Sequence, residues 1–135
     1  MRHFAFLFAA LSIATSNAQP VLAEDALHEY LWEKRPIIVF ADSAEDLLFR
    51  RQMELLSEQE TELEDRDVVV LTDTDPAAKS ALRKDLRPRG FQLVLVGKDG
   101  AVKLRKPRPW TVREISRVID KMPMRQQEMR QRWER

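Results

Sequence analysis

The sequence predicts an α/β domain: a four-stranded mixed sheet with helices on both faces and an extra helix at its N-terminal side. Three observations predict it. First, residues 36–40, 67–73 and 91–97 are short apolar runs rich in Val, Ile and Leu, the pattern of strands covered on both faces. Second, segments with helical periodicity separate the first run from the second and the second from the third, and the first of these reads as a β-α-β crossover; both cannot be crossovers. Third, Lys98-Asp99-Gly100 follows the third run directly and is a hairpin signal, so a fourth strand at 101–106 must run antiparallel to the third. The order is then β-α-β-α-β-β-α, and a right-handed first crossover sets its hand.

Ahead of these elements, Arg2 and His3 precede an apolar run at residues 4–14, and Ser16-Asn17-Ala18 and Val21-Leu22-Ala23 are small-residue cleavage patterns. A basic start, an apolar run too short for a bilayer and a small-residue site describe a secretory signal peptide over residues 1–23, cleaved after 18 or 23. The expected product is a periplasmic or secreted domain at 24–123 with a polar tail at 124–135 and no transmembrane segment. Cleavage removes only Arg2 from the charged residues, so the remainder has no net charge and no global pull toward nucleic acid. The chain has no cysteine, which removes disulfides and thiol chemistry alike. His28 is the only histidine after the signal segment, so neither a zinc site nor a Ser-His-Asp triad can be assembled. Gly90, Gly97 and Gly100 lie near strand ends and form no phosphate loop, and no pattern asks for a cofactor.

Each element has a local reason. Leu27, Tyr30 and Leu31 mark a short first helix. After the first strand, Ser43 and Asp46 form a capping-box-like S-x-x-D, and a helix with Leu48, Met53, Leu55 and Leu56 on its apolar side runs to about Glu60. After the second strand, Asp75 is an N-cap and Pro76 a first helical residue for a helix at 76–86 carrying Ala78, Leu82 and Leu86. Residues 87–90 break it. In the fourth strand Val102 and Leu104 face one way and Lys103 and Arg105 the other, and Pro107 and Pro109 end it. Thr111 and Glu114 then form a T-x-x-E capping box with Trp110 and Ile115 as its staple, for a helix with Val112, Ile115, Ile119 and Met122 that stops at Pro123. In the tail, Arg125, Arg130, Arg132 and Arg135 alternate with Glu128 and Glu134 like a solvated face, either a docked turn or a frayed end.

The stretches "IIVFADS", "DVVVLTDTDP", "LRPRGFQLVLVGKDGAVKLRKP" and "PWTVREISRVIDKMP" resemble the bacterial family called domain of unknown function 4174 over residues 31–123. That family is similar to the domain repeated in vertebrate extracellular proteins such as the sushi-repeat-containing proteins and a secreted coiled-coil-named matrix protein. The resemblance implies a thioredoxin-like fold and a secreted setting, and no reaction. In thioredoxins the turn after the first strand holds a cysteine pair facing a cis-proline. Here the turn is Asp42-Ser43-Ala44-Glu45, with Phe91 or Gln92 where the proline would stand.

Two surfaces remain as binding candidates. Asp42, Ser43, Asp73, Asp75 and Arg89 follow or precede strands at one edge of the sheet, where open α/β sheets bind ligands. Asp42, Asp73 and Asp75 there read either as turn and cap residues or as oxygen ligands for Ca²⁺ or Mg²⁺. Lys103, Arg105, Lys106 and Arg108, beside Trp110, make a basic edge. It reads either as protection against sheet-to-sheet aggregation or as a docking surface for an anionic envelope or extracellular partner. The functional expectation is a non-catalytic binding module. The alternatives are a metal-assisted enzyme at the strand-end carboxylates, a degenerate relative of the thiol oxidoreductases, and a purely structural domain.

Overall fold

The structure, a computed structural model, describes residues 23–135. The expected signal segment therefore lies outside the described residues, apart from Ala23. The elements are α1 (Ala23–His28), β1 (Arg35–Phe40), α2 (Leu47–Glu58), α3 (Glu60–Asp65), β2 (Val68–Asp73), a 3₁₀ turn (Pro76–Ala78), α4 (Ala81–Leu86), β3 (Gln92–Val96), β4 (Val102–Lys106), α5 (Val112–Asp120) and α6 (Pro123–Trp133).

The sheet has the order β2-β1-β3-β4. β1 pairs parallel with β2 and antiparallel with β3, and β3 pairs antiparallel with β4. This is the mixed, thioredoxin-like sheet that the element order predicts. β1 lies inside the sheet and is buried from end to end, which explains its unbroken apolar run. Alternation along β1 and β3 divides the core. Ile37, Val39, Leu93 and Leu95 pack with Leu56, Leu63, Ile115 and Ile119 on one face; Ile38, Phe40, Val94 and Val96 pack with Leu86 and Leu82 on the other. β2, expected to be covered on both faces, is only half-buried because it is an edge strand.

Several elements differ from expectation for identifiable reasons. α1 stops at His28 because Trp32 adopts a left-handed conformation (φ 65°) and its N–H donates to the Lys98 carbonyl at 2.7 Å, drawing the chain onto the β3–β4 hairpin. That approach needs Gly100, which has φ +81° and where a Cβ would stand 2.9 Å from Leu31 Cδ2. The cap of α2 is Asp46 alone, accepting from the N–H groups of Leu48 (2.8 Å) and Phe49 (3.2 Å). With this start, α2 buries Gln52, half-buries Phe49 and leaves Leu48 exposed. Gln52 is fully buried because its amide bonds both backbone groups of Trp110, at 2.8 and 2.9 Å. The helix predicted to run on to Glu60 breaks at Gln59, and α3 follows.

The helix predicted at 76–86 is split. Pro76 opens a single 3₁₀ turn, Lys79 turns left-handed, and Ser80 caps α4 by accepting from the Arg83 N–H at 3.2 Å. Asp75 makes no side-chain cap bond. In β4 a register shift pairs Val102 with Val96 but Leu104 with Leu95, so Val102 leaves the side that Leu104 keeps and is 42% exposed. Thr111 caps α5 as predicted, accepting from the Glu114 N–H at 3.2 Å. Pro123 does not end the helical region; it opens α6 at the first-turn position where its missing N–H costs nothing.

Candidate functional site

The strand-end edge is built around Asp73, which the parallel register sets opposite Phe40 at the ends of β2 and β1. One carboxylate oxygen accepts from Ser80 Oγ at 2.5 Å; the other accepts from Arg83 Nε at 2.8 Å and the Asp75 N–H at 3.1 Å. Arg83 also donates through Nη2 to the carbonyls of Ala41 (2.7 Å) and Asp73 (3.0 Å), and its guanidinium stands 5.4 Å from the Phe40 ring centroid. Parallel strands leave carbonyls at their C-terminal ends, and Arg83 satisfies two of them. The ion pair is nearly buried, with side-chain exposures of 10% and 11%. Burial pushes the Asp73 carboxyl up, but the bonds from Ser80, Arg83 and the Asp75 backbone together outweigh it and hold its pKa below the usual carboxylate value.

The other residues expected at this edge behave differently. Asp42, Ser43, Asp75 and Arg89 are all exposed, and the guanidinium that meets Asp73 belongs to Arg83 rather than Arg89. Among the described residues no three His, Cys, Asp or Glu side chains converge as metal ligands, so Asp42, Asp73 and Asp75 do not form a cation cage. Asp73 has spent its oxygens on Ser80 and Arg83. Where a thioredoxin would hold its proline, the Phe91 ring is buried in the core. Asp73 is thus a structural joint at this edge, while Asp42, Ser43 and Asp75 remain open to solvent.

The basic edge keeps more of its charge free. Lys103 pairs with Asp99 at 2.9 Å across the hairpin. Arg105 donates to the Leu86 carbonyl at 2.5 Å and to Gln92 Oε1 at 3.1 Å, which fastens β4 to the end of α4. Lys106 lies 4.8 Å from the Trp110 ring centroid, a cation–π distance, and Arg108 is exposed. Among the described residues neither Lys106 nor Arg108 has a carboxylate partner. The edge strand and the residues after it therefore present three cations without a carboxylate partner among the described residues, Arg105, Lys106 and Arg108, and one paired cation, Lys103, beside an aromatic ring.

A third polar cluster, unseen in the sequence, lies at the opposite pole. Arg35, 1% exposed, forms a two-pronged pair with Glu128 at 2.9 and 3.2 Å; Lys98, 8% exposed, pairs with Glu128 and Asp67, both at 2.8 Å. Arg125, 3% exposed, reaches Asp65 at 3.0 Å and Asp120 at 3.4 Å, and Arg66 meets Asp120 at 2.9 Å. Burial pushes the Glu128 carboxyl up, and the bonds from Arg35 and Lys98 overcome it, leaving the pKa depressed. Asp120 is depressed in the same balance, through Arg66 and then Arg125. The tail is thus a docked helix, and Arg125 and Glu128 belong to its inner face rather than to a solvated one. Arg35 and Lys98 flank buried strands, the available signal that cations there need carboxylate partners; nothing local says that α6 supplies one.

Comparison with known proteins follows the same lines. The family described as Domain of unknown function (DUF4174) matches residues 26–128. Coiled-coil domain-containing protein 80 of Danio rerio is 31% identical over 141 residues, covering 82% of this chain and 16% of that protein, so the chain spans only about a sixth of that relative's length. The crystal structure of the reduced 2-Cys peroxiredoxin of Plasmodium vivax superposes with a TM-score of 0.56 at 17% identity, over 74% of this chain and 86% of that one. Thioredoxin peroxidase I of Plasmodium yoelii superposes with a TM-score of 0.53 at 15% identity, over 74% and 82%. At such identities the likeness is one of fold. Among the described residues no helix is long and apolar enough to cross a membrane.

Proposed function

The chain belongs to the DUF4174 family, whose fold here is thioredoxin-like, and from that premise we propose that it is an exported, non-catalytic binding module that docks an anionic envelope or extracellular partner along β4. One observation carries the reading: Lys103, Lys106 and Arg108 stand along an open sheet edge beside Trp110, while at the strand ends Asp73 is taken up by Ser80 and Arg83 and the exposed turn Asp42-Ser43-Ala44-Glu45 holds no cysteine. The absence of cysteine supports it, since this chain cannot itself exchange electrons through thiols. The basic, apolar and small-residue pattern of residues 1–23 supports export.

Retention of residues 24–135 on a polyglutamate matrix tests the docking edge. The expected result is retention that falls steeply between about 0.05 M and about 0.5 M salt, as screening shortens the reach of surface charges. The triple variant K103E/K106E/R108E is expected to lose it, while charge reversal at Arg113 on α5 and Lys121 just after it leaves it intact. Equal retention of the triple variant and the parent chain would sink the proposal. Export is read separately, from fractionation and N-terminal sequencing of the full chain, with Gln19 or Glu24 expected as the first residue.

A further inference from the structure

The two edges of this sheet are flanked by opposite charge. β2 and β4 occupy its two edges. Beside β2, helices α2 and α3 present Glu54, Glu58, Glu60, Glu62 and Glu64, all exposed, and residues 52–65 contain no Lys or Arg. Arg51 holds Glu54 and Arg66 holds Glu62, which leaves Glu58, Glu60 and Glu64 without a cation among the described residues. At the other edge, residues 103–108 contain four cations and no carboxylate. A chain with almost no net charge is therefore polarised across its sheet.

The acidic edge also offers apolar surface. Met53, Leu56, Leu63, Val68 and Val70 wall a groove of about 240 Å³ between α2, α3 and β2, with Glu60 and Glu64 on its rim. We propose that the occupant of this groove is the β4 edge of a second copy of this chain, so that copies associate head to tail. The proposal rests on β4 being the docking edge and names its partner. Charge complementarity selects the pairing. Two β4 edges meeting would oppose lysine to lysine, and two β2 edges would oppose glutamate to glutamate; only β4 against β2 brings opposite signs together. The exposed Val102 supplies an apolar group on the incoming edge, and lysine stems can lie along the groove walls while their ammonium groups reach the glutamates. The basic edge thus blocks indiscriminate strand pairing and admits one complementary partner. Because the two surfaces differ, the contact is heterologous and propagates instead of closing as a two-fold dimer.

Light scattering on residues 24–135 across a concentration series tests this, with three chains: the parent, K103E/K106E/R108E and E58K/E60K/E64K. The parent is expected to grow beyond a dimer as concentration rises to about 1 mM at about 0.02 M salt, and to return to monomer at about 0.5 M. Each variant alone stays monomeric. Mixed together they meet through one intact basic edge and one intact acidic edge, and equally through the two reversed edges, so the mixture associates and grows again. Should a triple reversal unfold, glutamine at the same positions serves instead. A parent chain that stays monomeric, or that stops at a dimer of fixed mass, overturns head-to-tail association, as does a mixture that does not associate. If the parent stays monomeric yet keeps its salt-sensitive retention on polyglutamate, self-association falls and the docking edge stands. If retention is lost as well, both fall.

Discussion

Asp73 shows how a neighbour decides what a carboxylate is for. By type and position it reads as a turn residue or an oxygen ligand; Ser80 and Arg83 turn it into a strut. Asp73→Ala strands the Arg83 guanidinium, 10% exposed, without its counter-charge, and is expected to lower the unfolding free energy in urea by about 3 kcal/mol. Asp46 is a second case. Its carboxylate satisfies two N–H groups of the first turn of α2, whereas Ser43 makes no cap. Asp46→Ala should cost about 1 kcal/mol and Ser43→Ala close to nothing, measured in the same denaturation experiment. Equal costs would mean that Ser43 shares the cap. At both sites the residue type was legible, but its partners were set by the local path of the chain: side chains seven and ten residues on for Asp73, and first-turn N–H groups for Asp46.

Among elements, α6 departs furthest from its sequence pattern. It is mostly polar and its charges alternate, yet Glu128 is the counter-ion for two nearly buried cations from different strands' ends, Arg35 and Lys98. Glu128→Ala is expected to destabilise the fold by about 3 kcal/mol, more than an exposed charge change should. Conservative Glu128→Gln should restore only part, since it keeps one accepting oxygen but loses the other and the charge. A cost under about 0.5 kcal/mol for Glu128→Ala would show that α6 does not hold this pole together. α5 is the opposite case. Its Thr111 cap and its Ile115 and Ile119 side lie within one turn or two of each other in sequence, so they were readable before any fold was known.

For the molecule as a whole, acid should act through several carboxylates at once. Asp73, Asp120, Glu128 and Asp65 all have depressed pKa values in the folded state, so the unfolded chain binds their protons more tightly. Their stabilisation is complete above the unfolded carboxylate value of about 4 and is lost as pH falls through each folded value. Unfolding free energy is therefore expected to change little between about pH 5 and pH 8 from these groups and to fall below about pH 4. Asp73→Ala should flatten the acid limb, and an unchanged slope would remove Asp73 from the cause. On the same scale, polarity across the sheet exists only because the strand order sends β2 and β4 to opposite edges.

The sequence by itself determined the strands, the hairpin, the α5 cap, the absence of thiol chemistry and the α/β class. Those follow from side-chain periodicity and from residues acting within a few positions of themselves. Only the tertiary structure decided that α1 is cut short by Trp32, that Ser80 splits the helix after β2, and that Arg83 rather than Arg89 closes the strand-end edge. It also decided that the tail is clamped through Arg125 and Glu128. Apart from the local Ser80 cap, each of these is a pairing between groups separated along the chain, and the energy of a buried charge or an unpaired N–H depends on what the fold brings beside it.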